Sequence, residues 1–224
     1  MIDARLLLAL DGDGVELPSE GIIAVFQPPL DADLHGIDKD RVQIIQAFKP
    51  DYDAWAARGY DVVRNVKDRY AACIVCLPRA KNEARALIAD ACEVCDGIVV
   101  IDGQKTDGVD SILREMRTRV TVRGPISKAH GKMFWISEPA AEFFADWKQG
   151  PSLTDGGFWT APGVFSADGV DLASALLVDA LPENLGSEVA DLGAGWGFLS
   201  AHALTRESIK KIYLIEAGHM ALEC

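Results

Sequence analysis

The stretch Ser187-Glu-Val-Ala-Asp-Leu-Gly-Ala-Gly-Trp-Gly-Phe-Leu-Ser-Ala-His202 leaves this chain little choice of fold. An apolar run ends in Asp191, glycines follow at 193, 195 and 197, and a second apolar run begins at Phe198. Glycine supplies the left-handed backbone a sharp reversal needs, and it admits a ligand where a Cβ would block it. Strand, glycine turn and helix make the first half of a βαβ unit, and such a unit demands a parallel sheet covered by helices. A further apolar run, Lys211-Ile-Tyr-Leu-Ile215, closes the unit and ends in Glu216.

The rest of the chain repeats that alternation and predicts an α/β architecture with a mostly parallel sheet. Strands are expected at 21–26, 42–47, 70–77, 97–102, 120–123, 189–192 and 211–216. Helices are expected at 51–58, 81–93, 109–117, 138–147, 169–180 and 197–205. In the second helix, Ala84, Leu87, Ile88 and Ala91 recur at the spacing of one buried face. Gly and Pro crowd residues 148–163, which predicts a linker and two domains, 1–149 and 150–224, the first with room for five strands.

Of the 224 residues, 49% are hydrophobic, enough for a real core and against disorder. The formal net charge of −12 argues against a protein that coats nucleic acid, though not against a local basic patch. The apolar run Leu6–Leu10 is too short for an export signal, and no later run approaches a spanning length, so a cytoplasmic location is expected. The five cysteines are then expected to be thiols.

The glycine turn points to a nucleotide-like ligand, and Glu216, nineteen residues beyond Gly197, stands at the usual distance of a ribose-binding carboxylate. A dinucleotide site would want its third glycine at 198, which is Phe198. Asp191 would also repel a pyrophosphate, whereas it suits a ligand carrying an ammonium or sulfonium group. Asp-x-Gly-x-Gly-x-Gly with a downstream acid resembles the first two motifs of the class I S-adenosylmethionine-dependent methyltransferases. A Rossmann-like methyltransferase fold is what that resemblance implies.

Upstream, Ala161-Pro-Gly-Val-Phe-Ser-Ala-Asp-Gly-Val-Asp-Leu-Ala-Ser174 is similar to the segment that leads into the catalytic domain of the RsmC-type guanine-N2 methyltransferases of small-subunit ribosomal RNA. In that family the catalytic domain follows a methyltransferase-like domain that has lost its cofactor site. Tyr70-Ala-Ala-Cys-Ile-Val-Cys-Leu-Pro-Arg-Ala-Lys-Asn-Glu-Ala-Arg85 and Gly97-Ile-Val-Val-Ile-Asp-Gly103 resemble parts of that first domain. The resemblance implies S-adenosylmethionine as cofactor, walled by Gly193, Gly195 and Gly197, with Asp191 near its methionine end. It further implies that Glu216 holds the ribose hydroxyls and that Phe165 and Ser166 line the pocket. Trp196 stands where the family carries a smaller residue.

The family's substrate-side Asn-Pro-Pro-Phe has no counterpart here, and Cys224 comes eight residues after Glu216. The expectation is a piece of a longer methyltransferase, with the second domain incomplete and inactive by itself. Displacement at a methyl group needs positioning more than acid–base help, so no catalytic residue is nominated. Two alternatives stay open. One is a non-catalytic methyltransferase-like RNA-binding or assembly protein; the other is a nicotinamide-dependent oxidoreductase, disfavoured by Phe198 and Asp191. No Gly-x-Ser-x-Gly elbow or P-loop lysine supports a hydrolase or kinase.

Cys73-x-x-Cys76 and Cys92-x-x-Cys95 have a zinc-like spacing, but a pair three apart in a strand points to opposite faces, so no metal is expected. Between Arg114 and Lys132, six basic residues (Arg114, Arg117, Arg119, Arg123, Lys128, Lys132) meet one acid, Glu115, a candidate contact for ribosomal RNA or the small subunit. His35, His130, His202 and His219 show no partner spacing. Phe134, Trp135, Phe143, Phe144 and Trp147 read as packing residues.

Overall fold

Five parallel strands form the heart of the first unit in the computed structural model, which describes residues 2–12, 14–139 and 141–224. The chain divides into Met1–Gln149 and Gly150–Cys224. The first contains helix α1 (Asp3–Asp11), strands β1 (Ile23–Phe26) and β2 (Val42–Ile45), α2 (Lys49–Ala57), β3 (Asp61–Val63), β4 (Tyr70–Cys76), α3 (Lys81–Val94), β5 (Cys95–Gln104), α4 (Val109–Arg117), β6 (Arg123–Lys128) and β7 (Gly131–Ile136). A 3-10 stretch, Ala141–Trp147, ends it. The sheet order is β3-β2-β1-β4-β5-β7-β6, with β7 antiparallel to both of its neighbours.

Strand residues alternate between two cores, because successive side chains leave a strand on opposite faces. Ala24, Phe26, Cys73, Val75, Val99 and Ile101 enter one core with α3, α4 and the 3-10 stretch. Ile23, Val25, Ala72, Ile74, Cys76 and Val100 enter the other, with α1 and Trp55 of α2. Sheets covered on both faces read as near-continuous apolar runs, which is why these strands stand out in the sequence. Helix α4 buries Ile112, Leu113 and Met116 on one side, each worth about 1.5–3 kcal/mol of removed apolar surface. Cys73 and Cys76 therefore face different cores, and Cys92 and Cys95 join Cys73 in the first.

The edge of the sheet departs from expectation. Residues 120–122 are not a strand; Val120 and Val122 pack on the core from a loop, and the hairpin β6–β7 follows. Ala129 and His130 join its strands with φ of 49° and 57°. That double left-handed turn normally announces itself as Asn-Gly or Asp-Gly, and Ala-His gives no such signal. Gly131, the first residue of β7, cannot be replaced quietly: a Cβ there would lie 2.6 Å from the Gly103 carbonyl oxygen and collide with Arg5. Helix α1 and the short β3 were also not expected. The predicted helix at 138–147 is a 3-10 stretch beginning at Ala141, and Ala140 lies outside the described residues.

The second unit contains a short hairpin, β8 (Ser152–Leu153) with β9 (Trp159–Thr160), then α5 (Leu172–Ala180), β10 (Glu188–Leu192), α6 (Phe198–Ala203), β11 (Lys211–Ile215) and α7 (His219–Glu223). Strands β10 and β11 are parallel, with Asp191 opposite Leu214 and Leu192 opposite Ile215. Ala161, Val164, Trp196 and Ala221 form its small core, with Phe158 and Phe198 against it. This is the Rossmann-like arrangement that the glycine stretch required. Among the described residues, no helix is long and apolar enough to cross a membrane.

Candidate cofactor site

The site is built where β10 and β11 end side by side. Gly193, Gly195 and Gly197 have φ of 78°, 55° and 87°, all in the region that L side chains rarely adopt. The loop folds back on the neighbouring strand: the Gly193 and Ala194 amides donate to the Ile215 carbonyl at 2.8 and 3.2 Å. The Gly195 amide donates to Glu216 Oε2 at 2.8 Å. Around Cβ positions on Gly193 and Gly195 no atom lies within 4 Å, so the loop borders open space.

That space is a cleft lined by Phe165, Ser166, Asp171, Ser174 and the segment 193–196 with Phe198 and Leu199. Four of the seven residues singled out in the sequence, Phe165, Ser166, Gly193 and Gly195, line it. Gly197 starts α6 instead, with its carbonyl accepting from the Ala201 amide at 2.9 Å. Asp191 and Glu216 flank the loop without lining the cleft, Glu216 bonded to Gly195 and Asp191 to Ser200 of α6. Asp191 Oδ2 accepts from the buried Ser200 hydroxyl at 2.7 Å.

Glu216 is the anionic anchor. Oε1 accepts from the Ala217 and Gly218 amides at 2.7 Å each, and Oε2 from Gly195. Partial burial raises the carboxyl pKa, but the three amide donors outweigh it, and the group sits below its ordinary value. A carboxylate offers about four acceptor positions, so three amides leave room for one more donor.

The wall opposite the glycines comes from 161–171. Ser166 has φ of 54°, unusual for a residue with a side chain, and its hydroxyl donates to the Gly169 carbonyl at 2.6 Å. Trp196 Nε1 donates to the Phe165 carbonyl at 2.9 Å. Asp171 caps α5 by accepting from the Ser174 amide at 2.8 Å. Sequence reasoning missed Asp171, Ser174 and the inward setting of Trp196. The Asp-x-x-Ser cap at 171–174 was the available signal for the first two.

The basic stretch is partly spent on internal pairs. Arg119 is bidentate to Asp146 at 2.5 and 2.7 Å, and Lys132 pairs with Asp110 at 2.6 Å. Arg114, Arg117, Arg123 and Lys128 are exposed. Of the aromatic group, Phe134, Trp135, Phe144 and Trp147 are core residues, while Phe143 is half exposed. Among the described residues, no group of three or more His, Cys, Asp or Glu is arranged to hold a metal ion.

Residues 155–224 match the family described as Methyltransferase small domain. Over 159 residues the chain is 30% identical to Ribosomal RNA small subunit methyltransferase C of Vibrio vulnificus (strain CMCP6), covering 65% of this chain and 45% of that protein. Over 134 residues it is 34% identical to the protein of that name from Vibrio parahaemolyticus serotype O3:K6 (strain RIMD 2210633), covering 55% and 39%. The chain thus spans less than half the length of these relatives. A solved structure, T. thermophilus 16S rRNA N2 G1207 methyltransferase (RsmC) in complex with AdoMet and guanosine, superposes with a TM-score of 0.72. That match covers 93% of this chain and 62% of the other at 19% identity, and shows the fold. The likeness to the RsmC-type methyltransferases is borne out in sequence and in fold.

Proposed function

We propose that this chain carries the S-adenosylmethionine-binding part of a ribosomal RNA methyltransferase, acting on a guanine exocyclic amine. One observation carries the reading: the glycine loop is pinned to the end of β11 by three of its amides, leaving open space at Gly193 and Gly195. A Cβ at either position would narrow the cleft, and the flanking groups are carboxylates. Those acceptors suit a ligand with a positive methionine end and a hydroxylated ribose, and they oppose a diphosphate.

Asp191 is the candidate partner of the positive end, held in place by Ser200. Glu216 is the candidate partner of the ribose hydroxyls through its remaining acceptor position. Gly193, Gly195 and Gly197 give the main chain its close approach, and Phe165 and Ser166 close the opposite wall. The bound cofactor supplies an electrophilic methyl group; this chain's residues bind and orient it, and positioning accounts for most of the acceleration such a displacement requires.

The first unit reads as a methyltransferase-like domain without a cofactor site. Its β1 ends in Phe26 and runs into Gln27-Pro-Pro, where a second glycine loop would be needed. The exposed cations Arg114, Arg117, Arg123 and Lys128 are its candidate contacts with RNA. Work on ribosomal RNA implies a cytoplasmic location. The relatives' names carry the ribosomal substrate, and the cleft carries the cofactor class.

Titration calorimetry with S-adenosylhomocysteine and with NAD tests the reading. Heat from the first and none from the second is expected; the reverse would restore the oxidoreductase alternative.

A further inference from the structure

We infer that Trp196 is a positioning residue: its indole N–H holds the 161–169 segment in place as the second wall of the cleft. The inference rests on the cofactor reading above and extends it to a residue that neither the glycine spacing nor the acids identify. Trp196 sits between Gly195 and Gly197, so its ring direction is set by the same backbone that shapes the loop. The ring is 9% exposed and packs against Phe158 at 5.0 Å and Phe198 at 5.5 Å between centroids. Those two contacts hold the indole with its N–H toward the Phe165 carbonyl, 2.9 Å away.

Ala161 and Val164 anchor the start of that segment in the small core, and the Val164 amide donates to the Ala161 carbonyl at 3.1 Å, so the indole acts where the chain leaves the core at Phe165. Phe165 itself is 66% exposed while still lining the cleft. Ser166 then turns through a left-handed conformation, a state that costs of order 1–3 kcal/mol and persists only where its surroundings enforce it. The surroundings here are the Ser166–Gly169 bonds on one side and the Trp196–Phe165 bond on the other. Tryptophan is suited to the task because it gives a single rigid donor at the far end of an apolar ring. Phenylalanine at 196 would keep the packing and lose only the donor.

The test compares Trp196→Phe with Ile209→Val, a buried position of the same unit that does not line the cleft. Two readouts are taken on the full chain: amide hydrogen exchange across 161–169 without ligand, and affinity for S-adenosylhomocysteine by calorimetry. Trp196→Phe is expected to speed exchange across 161–169 and to weaken binding about fivefold, the loss expected for one hydrogen bond. Ile209→Val is expected to lower the melting temperature and leave both readouts at wild-type values. Unchanged exchange in Trp196→Phe overturns the inference, as does faster exchange with unchanged affinity. Equal loosening by Ile209→Val overturns it too, since the effect would then be general stability. A wild-type chain that binds no S-adenosylhomocysteine sinks the cofactor reading itself, and the inference with it.

Discussion

Arg5 reaches across 97 residues of sequence to hold Asp102 in the interior of the first unit, with Nε 2.5 Å from Oδ1 and Nη2 2.7 Å from Oδ2. The side chains are 1% and 6% exposed, and Arg5 Nη1 also donates to the Lys128 carbonyl at 2.9 Å. One guanidinium thus ties α1, the end of β5 and the β6–β7 hairpin together. It also explains why Gly131 must lack a side chain.

Asp102→Ala strands a buried guanidinium and is expected to cost about 3–5 kcal/mol in chemical denaturation. The double change Arg5→Leu with Asp102→Leu removes both charges and is expected to cost less than the single one. A single substitution as mild as the double would show that the pair contributes little.

Glu216→Gln keeps the side-chain shape but removes the charge. It is expected to weaken S-adenosylhomocysteine about tenfold or more, as for a charge-assisted hydrogen bond. The group's folded pKa lies below its unfolded value, so its contribution to stability is complete above the usual carboxylate range. That contribution drains away as pH falls through the lower, folded value. Melting curves of the wild type and Glu216→Gln should therefore differ at neutral pH and converge in acid.

Arg117→Glu with Arg123→Glu alters exposed cations rather than the paired Arg119. Binding to a small-subunit ribosomal RNA fragment, read by fluorescence anisotropy, is expected to fall about tenfold or more at low salt and to depend less steeply on salt. An unchanged curve would remove this face from the RNA interface.

Thiol chemistry should separate Cys224 from the other four. Cys73, Cys76, Cys92 and Cys95 are buried, and burial pushes Cys92 up to about 12 and Cys76 well above its ordinary value. Near neutral pH one thiol per chain should react quickly with an aromatic disulfide reagent and four only on unfolding. Cys224→Ala should abolish the fast phase.

The parallel strands were legible because each is buried on both faces and so carries an unbroken apolar run, as at Ile23–Phe26 and Tyr70–Cys76. Helices α3 and α4 were legible from their periodicity. The hairpin was not, since Ala129-His130 adopts a turn that its residue types do not favour. Helix α1 was hidden by Arg5, whose charge interrupts the apolar face and is met by Asp102, far along the chain.

At the site, the loop was legible along the chain. Glycines at 193, 195 and 197 between two apolar runs allow the left-handed backbone that other residues resist, so local sterics mark the place of the turn. What surrounds that loop depends on packing. Asp191 turns to Ser200, Glu216 gathers three amides, and Trp196 points at Phe165 rather than away. Each of those outcomes is a directional bond whose geometry exists only after β10, β11 and the 161–169 segment have packed. Spacing along a chain records which residues can meet, whereas orientation is settled by the neighbours that leave a polar group one satisfied position.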